Sequence, residues 1–471
     1  MDNSVLMSFG ELSESLGARL FSGEGGEKGF GSVGIDSRNL GPGALFVALP
    51  GNSTDGHSFI EDAFKAGAAG VMAESSRMES LNLKALAKKW GRTLVIVEDS
   101  LAGLQNAARV YLDKFPGLIK IAITGSSGKT TTKEIAGAII GQEKKIVMNS
   151  GNLNSETGLP LSIFNVRPFH ELGIFEAGMN RRGEISELAS VLKPNIALIT
   201  NIGSAHIGIL GSKEAIAEEK KSIFSQFTGT EKALIPVNDS FRDFLARDLK
   251  GKVIYYGPSL FPELGEIRDL GLEGSEIAWA GKSVSFPLPG YFNLKNALAA
   301  LAIAREIPVS NEGIRKGLKS IKPLFGRGEV FNGKVTVIQD CYNSNPESLE
   351  AALEFCKNLE WPGRKVYVIG SMLELGKESI QAHRDMGRFL ASSGGDMVYL
   401  YGPETEDAAA ILSSYRIPSY RTDRMDDMKQ ALEFYLRPGD LVLLKGSRGC
   451  ALEQLTRGLT GDDPVISGGG I

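Results

Sequence analysis

Residues 118–132 read LIKIAITGSSGKTTT. The β-branched run Ile119–Thr124 has the make-up of a strand buried on both faces of a parallel sheet. Gly125 and Gly128 then bracket Ser126 and Ser127, and Lys129, Thr130, Thr131 and Thr132 follow. A glycine-rich turn between strand and helix aims backbone N–H groups at one point, where a phosphate fits. The lysine reaches the outer phosphates, and the next hydroxyl, that of Thr130, holds Mg²⁺. In the common spacing G-x-x-x-x-G-K-[ST] the first glycine would stand at Ile123; here the additional glycine is Gly125. The strand, the lysine and the threonine are all present, so Gly125 through Thr131 is read as a nucleotide phosphate loop. A glycine-rich turn with a solvated lysine would leave the threonine run unexplained.

The chain around this loop has 471 residues, too many for one ordinary core, and two or three domains are expected. Its 42% hydrophobic and 23% charged content suits a globular protein. A net charge of -4 with no strongly basic stretch argues against a nucleic-acid partner. Cys341, Cys356 and Cys450 form no close-spaced metal set and cannot all pair, which fits a reducing compartment. The N-terminus lacks a basic segment leading into a long apolar core, so no signal peptide is read there. No apolar run approaches the roughly 20 residues needed to span a bilayer, and membrane insertion is not expected. The 57 glycines, about 12% against an average near 7%, imply many tight turns between strands and helices.

Upstream of the loop, Ser8–Leu16 reads as a capped helix, and Val71–Met72, Leu94–Val97 and Ala102–Phe115 as parts of a small α/β unit. Within it Asp36, Ser37 and Arg38 follow a short apolar segment. Ser37 with Arg38 makes a candidate anion clamp, because arginine presents a rigid donor fork; a solvated turn is the competing reading. His57 is either a packing histidine or a ligand contact. Phe115-Pro116-Gly117 marks a boundary.

Downstream, a helix is expected over Thr131–Ile140. The polar stretch 149–160 offers Asn152, Asn154 and Thr157 beside the phosphate site. Leu172–Ala177 reads as a strand with Glu176 at its carboxyl end, where parallel sheets bind ligands. A metal role opposite Lys129 and Thr130 follows. Ile196–Thr200 delivers Asn201, Gly203 and His206 to the same edge. Ser212–Phe224 reads as a helix whose Lys213, Lys220 and Lys221 form a solvated face on periodicity alone. Glu276–Pro287 suggests short antiparallel strands. In the helix Asn293–Ala304, Asn293 or Asn296 can read an adenine edge or cap the helix.

After the linker Phe325–Gly328, with Arg327 as a candidate closing residue, strands alternate with polar loops and helices again. Asp340 ends the strand Val335–Gln339, the loop Tyr342–Pro346 follows, and Lys445 and Arg448 lie beside two glycines, suited to an anionic group. The rhythm is that of a second, smaller doubly wound domain. ATP held centrally, with flanking domains bringing two substrates, is the arrangement an ATP-dependent ligase needs. Such a ligase phosphorylates a carboxylate, lets an amine attack the acyl phosphate, and must exclude water.

In chain order TGSSGKTTTKE, GNLNSETGLP, EAGMNRRGEI, TNIGSAHIG, YNSNPES, GSMLELG and KGSRG resemble the motifs of the Mur ligases of peptidoglycan synthesis, and the likeness runs from Asp36 to Glu453. YNSNP and GSMLELG resemble the branch that adds D-alanyl-D-alanine to UDP-N-acetylmuramoyl-tripeptide. The resemblance implies an α/β protein of three domains. A central, P-loop ATPase-like and mostly parallel sheet (118–325) is flanked by a small N-terminal α/β domain (1–117) and a C-terminal Rossmann-like domain (326–471). It implies that Ser37 and Arg38 contact the UDP-linked precursor, and that Lys129 meets ATP phosphate. Thr130 and Glu176 would hold one Mg²⁺ and His206 a second. Lys220 would be a carbamate, an anionic metal ligand made from a cation. Asn296 would sit by adenine, and Arg327 and Asp340 by phosphate and ribose. Asn343, Asn345, Lys445 and Arg448 would lie near the incoming dipeptide. A cytoplasmic monomer is the expected form. Three other readings stay open. The neighbouring branch adds a third-position diamino acid and would be expected to carry an arginine in place of part of Asn343–Pro346. Folate polyglutamate ligases lack the domain carrying Asp36–Arg38. A non-enzymatic nucleotide switch would not need Glu176, His206 and Lys220 together.

Overall fold

The β-branched segments become strands because each can bury both faces under helices. The computed structural model describes residues 5–26, 28–51 and 54–461. Asn52 and Ser53, in the polar loop before His57, lie outside the described residues. The central sheet runs in the order Lys252–Tyr256, Lys232–Pro236, Ile196–Ile199, Ile119–Thr124, Leu172–Glu176, Ile146–Met148, all parallel. Chain order reverses about Ile119–Thr124, so the phosphate loop leaves the sheet at its switch point, the usual ligand crevice of such sheets. Ile121, Ile123, Ile174 and Leu198 on one face pack under the helices Lys129–Ile140 and Tyr291–Arg305.

In the first domain the sheet order is Arg19–Ser22, Thr93–Val97, Gly70–Glu74, Ala44–Val47, Ser32–Gly34, antiparallel only at the first pair. Ser8 caps the helix Phe9–Leu16 by accepting the Glu11 N–H at 3.1 Å. Phe30 of this domain meets Phe164 edge-on at 6.5 Å, within one apolar cluster that also holds Tyr111 and Phe175. The first and central domains therefore share buried surface rather than a linker alone.

The last sheet runs Glu329–Phe331, Thr336–Asp340, Leu441–Lys445, Lys365–Gly370, Met397–Tyr401, Ser419–Thr422, parallel except for its first pair. Its switch point lies beside Leu441–Lys445. The antiparallel strands Ser275–Trp279 and Lys282–Phe286 form as read, with a third partner, Leu264–Asp269, that the sequence reading lacks. Ser419–Thr422 and the helix Glu406–Ser414 were not legible either: the strand is a polar edge, and the helix buries only Ala408 and Leu412. Among the described residues no helix is long and apolar enough to cross a membrane.

Candidate active site

The helix after the phosphate loop begins at Lys129, two residues earlier than its sequence pattern suggests, so Lys129 and Thr130 sit in its first turn. Two glycines make the turn possible. Gly125 has φ +148° and a side chain there would strike Thr200 Oγ1; Gly128 has φ +79° and a side chain would strike Asn296 Oδ1. Backbone conformation and close approach both demand glycine. Asn201 braces the turn, accepting the Ser127 N–H at 3.2 Å and donating to Ser127 O at 3.0 Å. Ser126, buried, donates to Gly203 O at 3.1 Å and accepts the Gly203 N–H at 2.8 Å.

Beside the loop, Thr130 Oγ1 donates to Glu176 Oε2 at 2.7 Å, and Asn154 Nδ2 donates to Glu176 Oε1 at 2.6 Å. Arg327, arriving from the hinge, donates to Thr130 Oγ1 at 3.0 Å and stacks 4.1 Å over the Tyr342 ring. Lys129 Nζ donates to Gly125 O at 2.9 Å. Burial pulls the Lys129 ammonium below the usual lysine range; Glu176 opposes that shift and Arg327 adds to it.

Lys220 overturns the solvated face that periodicity suggests. It is 1% exposed, while Lys213 stays outside and pairs with Glu347 at 2.8 Å. Burial drives the Lys220 ammonium far below the usual range, the Lys129 charge adds to this and Glu219 opposes it. No side-chain hydrogen bond or ion pair holds its Nζ among the described residues, and a buried charge without a partner is disfavoured. The neighbouring Glu219 is committed elsewhere, accepting the Gly183 and Ile185 N–H groups at 2.7 and 3.0 Å.

His206 takes a left-handed conformation, φ 64°, and its Nδ1 lies 2.9 Å from Glu374 Oε2 of the last domain, off the line of a hydrogen bond. Glu374 is itself left-handed, φ 65°, and its carbonyl accepts the Gly208 N–H at 3.1 Å. A second contact across the same interface is denser. Glu347 accepts both the Ser204 N–H and its hydroxyl, the latter at 2.7 Å, besides Lys213. Neither glutamate was singled out by sequence, because each matters only once two domains meet.

Other candidates have structural partners. Lys445, 1% exposed, pairs with Asp340 at 2.9 Å and donates to Asn343 O at 3.2 Å, shaping the loop 342–346 from behind. Asn345 caps the helix Pro346–Asn358, accepting the Ser348 N–H at 2.8 Å. Asn343 Oδ1 accepts the Ser344 N–H, and Arg448 pairs with Glu453 at 2.5 Å. Thr131 is buried; Thr157 Oγ1 lies 3.2 Å from Ser155 Oγ, and Asn152 is exposed. Asn296 rests against the loop, whereas Asn293 donates to Pro289 O at 2.9 Å. Ser37 and Arg38 stand apart on the first domain, with Arg38 bonded to Asp36. His57 is a packing residue: Asp55 lies 2.7 Å from its Nδ1, and Nε2 accepts the Glu74 N–H.

Hard oxygen donors suit a divalent cation, and the Thr130–Glu176 pair supplies two. Among the described residues no three His, Cys, Asp or Glu side chains gather as a metal set. Lys220, a buried amine whose charged form burial disfavours, fits conversion to a carbamate.

The sheet order, the glycine loop at the switch point and the threonine–carboxylate pair define a phosphate-loop nucleotide-binding protein. The chain belongs to the Mur ligase family: residues 30–110 match the family's catalytic domain, 123–304 the Mur ligase middle domain, and 326–448 the glutamate ligase domain. It is 43% identical over 454 residues to the UDP-N-acetylmuramoyl-tripeptide–D-alanyl-D-alanine ligase of Treponema pallidum, covering 96% of this chain and 98% of that one. Identity to the ligase of the same name from Bacillus subtilis is 33%, over 91% of this chain and 92% of the relative. Among solved structures, MurF from Acinetobacter baumannii superposes with a TM-score of 0.85 at 27% identity, covering 96% and 98% of the two chains. MurF from Thermotoga maritima in complex with ADP gives 0.76 at 28% identity, covering 90% and 96%. The protein is an enzyme that forms amide bonds.

Proposed function

We propose that the enzyme joins D-alanyl-D-alanine to UDP-N-acetylmuramoyl-tripeptide, with ATP converted to ADP and phosphate. The observation that carries this reading is the convergence of Lys129, Thr130, Glu176 and Arg327 on one end of the central sheet, in a chain 43% identical along nearly its whole length to a ligase of that name. The terminal carboxylate of the tripeptide attacks the γ-phosphorus, ADP leaves, and the dipeptide amine then attacks the acyl carbon and expels phosphate. Lys129 and Arg327 neutralise charge on the transferred group. Thr130 and Glu176 hold one Mg²⁺, and His206 with carbamylated Lys220 a second; the ions supply Lewis-acid stabilisation. Asn296 lies by adenine and Asp340 by ribose, Ser37 and Arg38 meet the nucleotide-sugar, and the loop 342–346 faces the dipeptide. Glu347 and Glu374 close the last domain over the site and exclude water. A cytoplasmic monomer completes the reading.

The test is phosphate release from ATP in the presence of the tripeptide precursor, with and without D-alanyl-D-alanine, and the mass of the product. Release that needs both, with a pentapeptide product, is expected. Turnover of a free diamino acid on the dipeptide precursor would replace this reading with the neighbouring branch.

A further inference from the structure

The strand Ile146–Met148 pairs in parallel with Leu172–Ile174 and then stops, two pairs short of Glu176. Leu172 N donates to Lys145 O. In a parallel ladder the same bond recurs every second residue, so the Glu176 N–H would next fall to the Asn149 carbonyl. It does not. Glu176 N donates instead to the side-chain Oδ1 of Asn149 at 2.9 Å, and Asn149 Nδ2 returns a bond to Glu176 O at 3.0 Å. The side-chain amide thus stands in for a peptide group of the missing strand. The Asn149 carbonyl, released from the ladder, accepts Lys133 Nζ. Lys133 is fully buried and ion-paired with Glu134 at 3.1 Å.

The substitution has a consequence for the site. With the ladder closed by a side chain, the backbone turns away at Ser150 and folds back. The second amide proton of Asn149 reaches Leu153 O at 2.7 Å, and Asn154 O accepts the Gly178 N–H at 2.8 Å. That return places Asn154 Nδ2 on the Glu176 carboxylate. A regular strand through residue 149 would carry the chain past the carboxylate.

We propose that Asn149, supported from behind by Lys133, is a positioning residue that fixes Glu176 from its backbone and brings Asn154 onto the carboxylate, setting the divalent-cation affinity of the site. The inference rests on the reading of Glu176 as a metal ligand. Outer partners of a metal ligand typically change affinity by about 10- to 100-fold when removed.

Mn²⁺ binding to the full-length enzyme with ADP, followed by electron paramagnetic resonance, gives a readout independent of turnover. Glu176→Gln is the reference; parent-like Mn²⁺ affinity in that variant overturns the metal reading itself. Given the expected loss there, Asn149→Ala weakens Mn²⁺ about tenfold and raises the Mg²⁺ concentration for half-maximal rate. The KM for the nucleotide-sugar precursor stays unchanged. Amide exchange rises in the peptide spanning Glu176 but not in Ile119–Thr124, which a general loss of structure would also expose. Ser150→Ala, exposed in the same turn, matches the parent. Lys133→Met, which leaves Asn149 in place, shifts Mn²⁺ affinity in the same direction by about threefold and decides the matter should Asn149→Ala fail to fold. Parent-like Mn²⁺ affinity in a folded Asn149→Ala enzyme, or in Lys133→Met when only that variant folds, overturns the proposal.

Discussion

Arg38 and Lys220 are both basic side chains in a ligase that handles anions, and their surroundings are opposite. Arg38 has 85% of its side chain exposed and is bonded twice to Asp36, at 2.9 and 2.8 Å. Lys220 is 1% exposed and has no side-chain partner among the described residues. A solvated arginine keeps its charge and can act only by binding. Burial disfavours the Lys220 ammonium and so favours the neutral amine, the form that reacts with CO₂. In the proposed mechanism the first is a handle for a substrate, and the second is a place where covalent modification changes the sign of a charge.

The widest separation between the two comes from deleting each. Lys220→Ala should lower turnover about a thousandfold, on the scale of the charge stabilisation a metal site supplies, and short-chain carboxylic acids should restore part of it by replacing the anion. Phosphate release with both substrates measures this. Retention of most activity would put Lys220 in the same class as Arg38 and end the carbamate assignment.

Periodicity could not have drawn this contrast. Ser212–Phe224 reads SKEAIAEEKKSIF, and its lysines look alike until the helix is docked. Only the likeness to a family distinguished Lys220, because burial is a property of the packed fold. The phosphate loop was legible for the opposite reason: strand, turn and helix start are consecutive in the chain, and each residue's part is local. Glu176 was legible from its place at a strand end. Asn149 was not, although the polar stretch that begins with it was noted, because its role depends on the strand beside it. Glu347 and Glu374 act across a domain boundary, and nothing local in YNSNPES or GSMLELG marks a carboxylate as an interdomain contact.

Glu347 tests whether the buried side of the comparison depends on domain docking. Its carboxyl is held below the usual range: burial opposes ionisation, but bonds from Lys213 and Ser204 outweigh it. Glu347→Ala should lower kcat about tenfold and increase the radius of gyration in solution scattering, with ADP affinity nearly unchanged. A parent-like scattering profile would remove Glu347 from domain closure. Arg38→Ala, by contrast, should raise the KM for the nucleotide-sugar precursor about fivefold with kcat intact, and the effect should shrink as salt screens the exposed charge. Hydrogen bonds from Arg38 hold the Asp36 carboxyl at about 2. A depressed carboxyl pKa keeps the pair ionised above that value and loses it only as pH falls through it, so the KM difference should be flat above about pH 4. A change in kcat in this variant would move Arg38 out of a purely binding role.

The smallest effect separates burial from function. Cys341, Cys356 and Cys450 are free and buried, and burial pushes their thiols up to about 12, 12 and 11. Like Lys220 they are titratable groups whose charged form burial disfavours, but Cys356 packs among Leu349, Leu353 and Tyr367 in an apolar cluster, away from the phosphate loop. Its sulfur fills volume. Cys356→Ala should cost about 1 kcal/mol, near 2 °C in melting temperature, and leave kcat and every KM at parent values. In the native enzyme no thiol should react with a disulfide reagent at pH 8, while all three react in guanidinium. If Cys356→Ala lowered kcat, burial of a neutral group would be signalling function in two places. It would then be the lack of a partner at Lys220, rather than its depth, that lost its meaning.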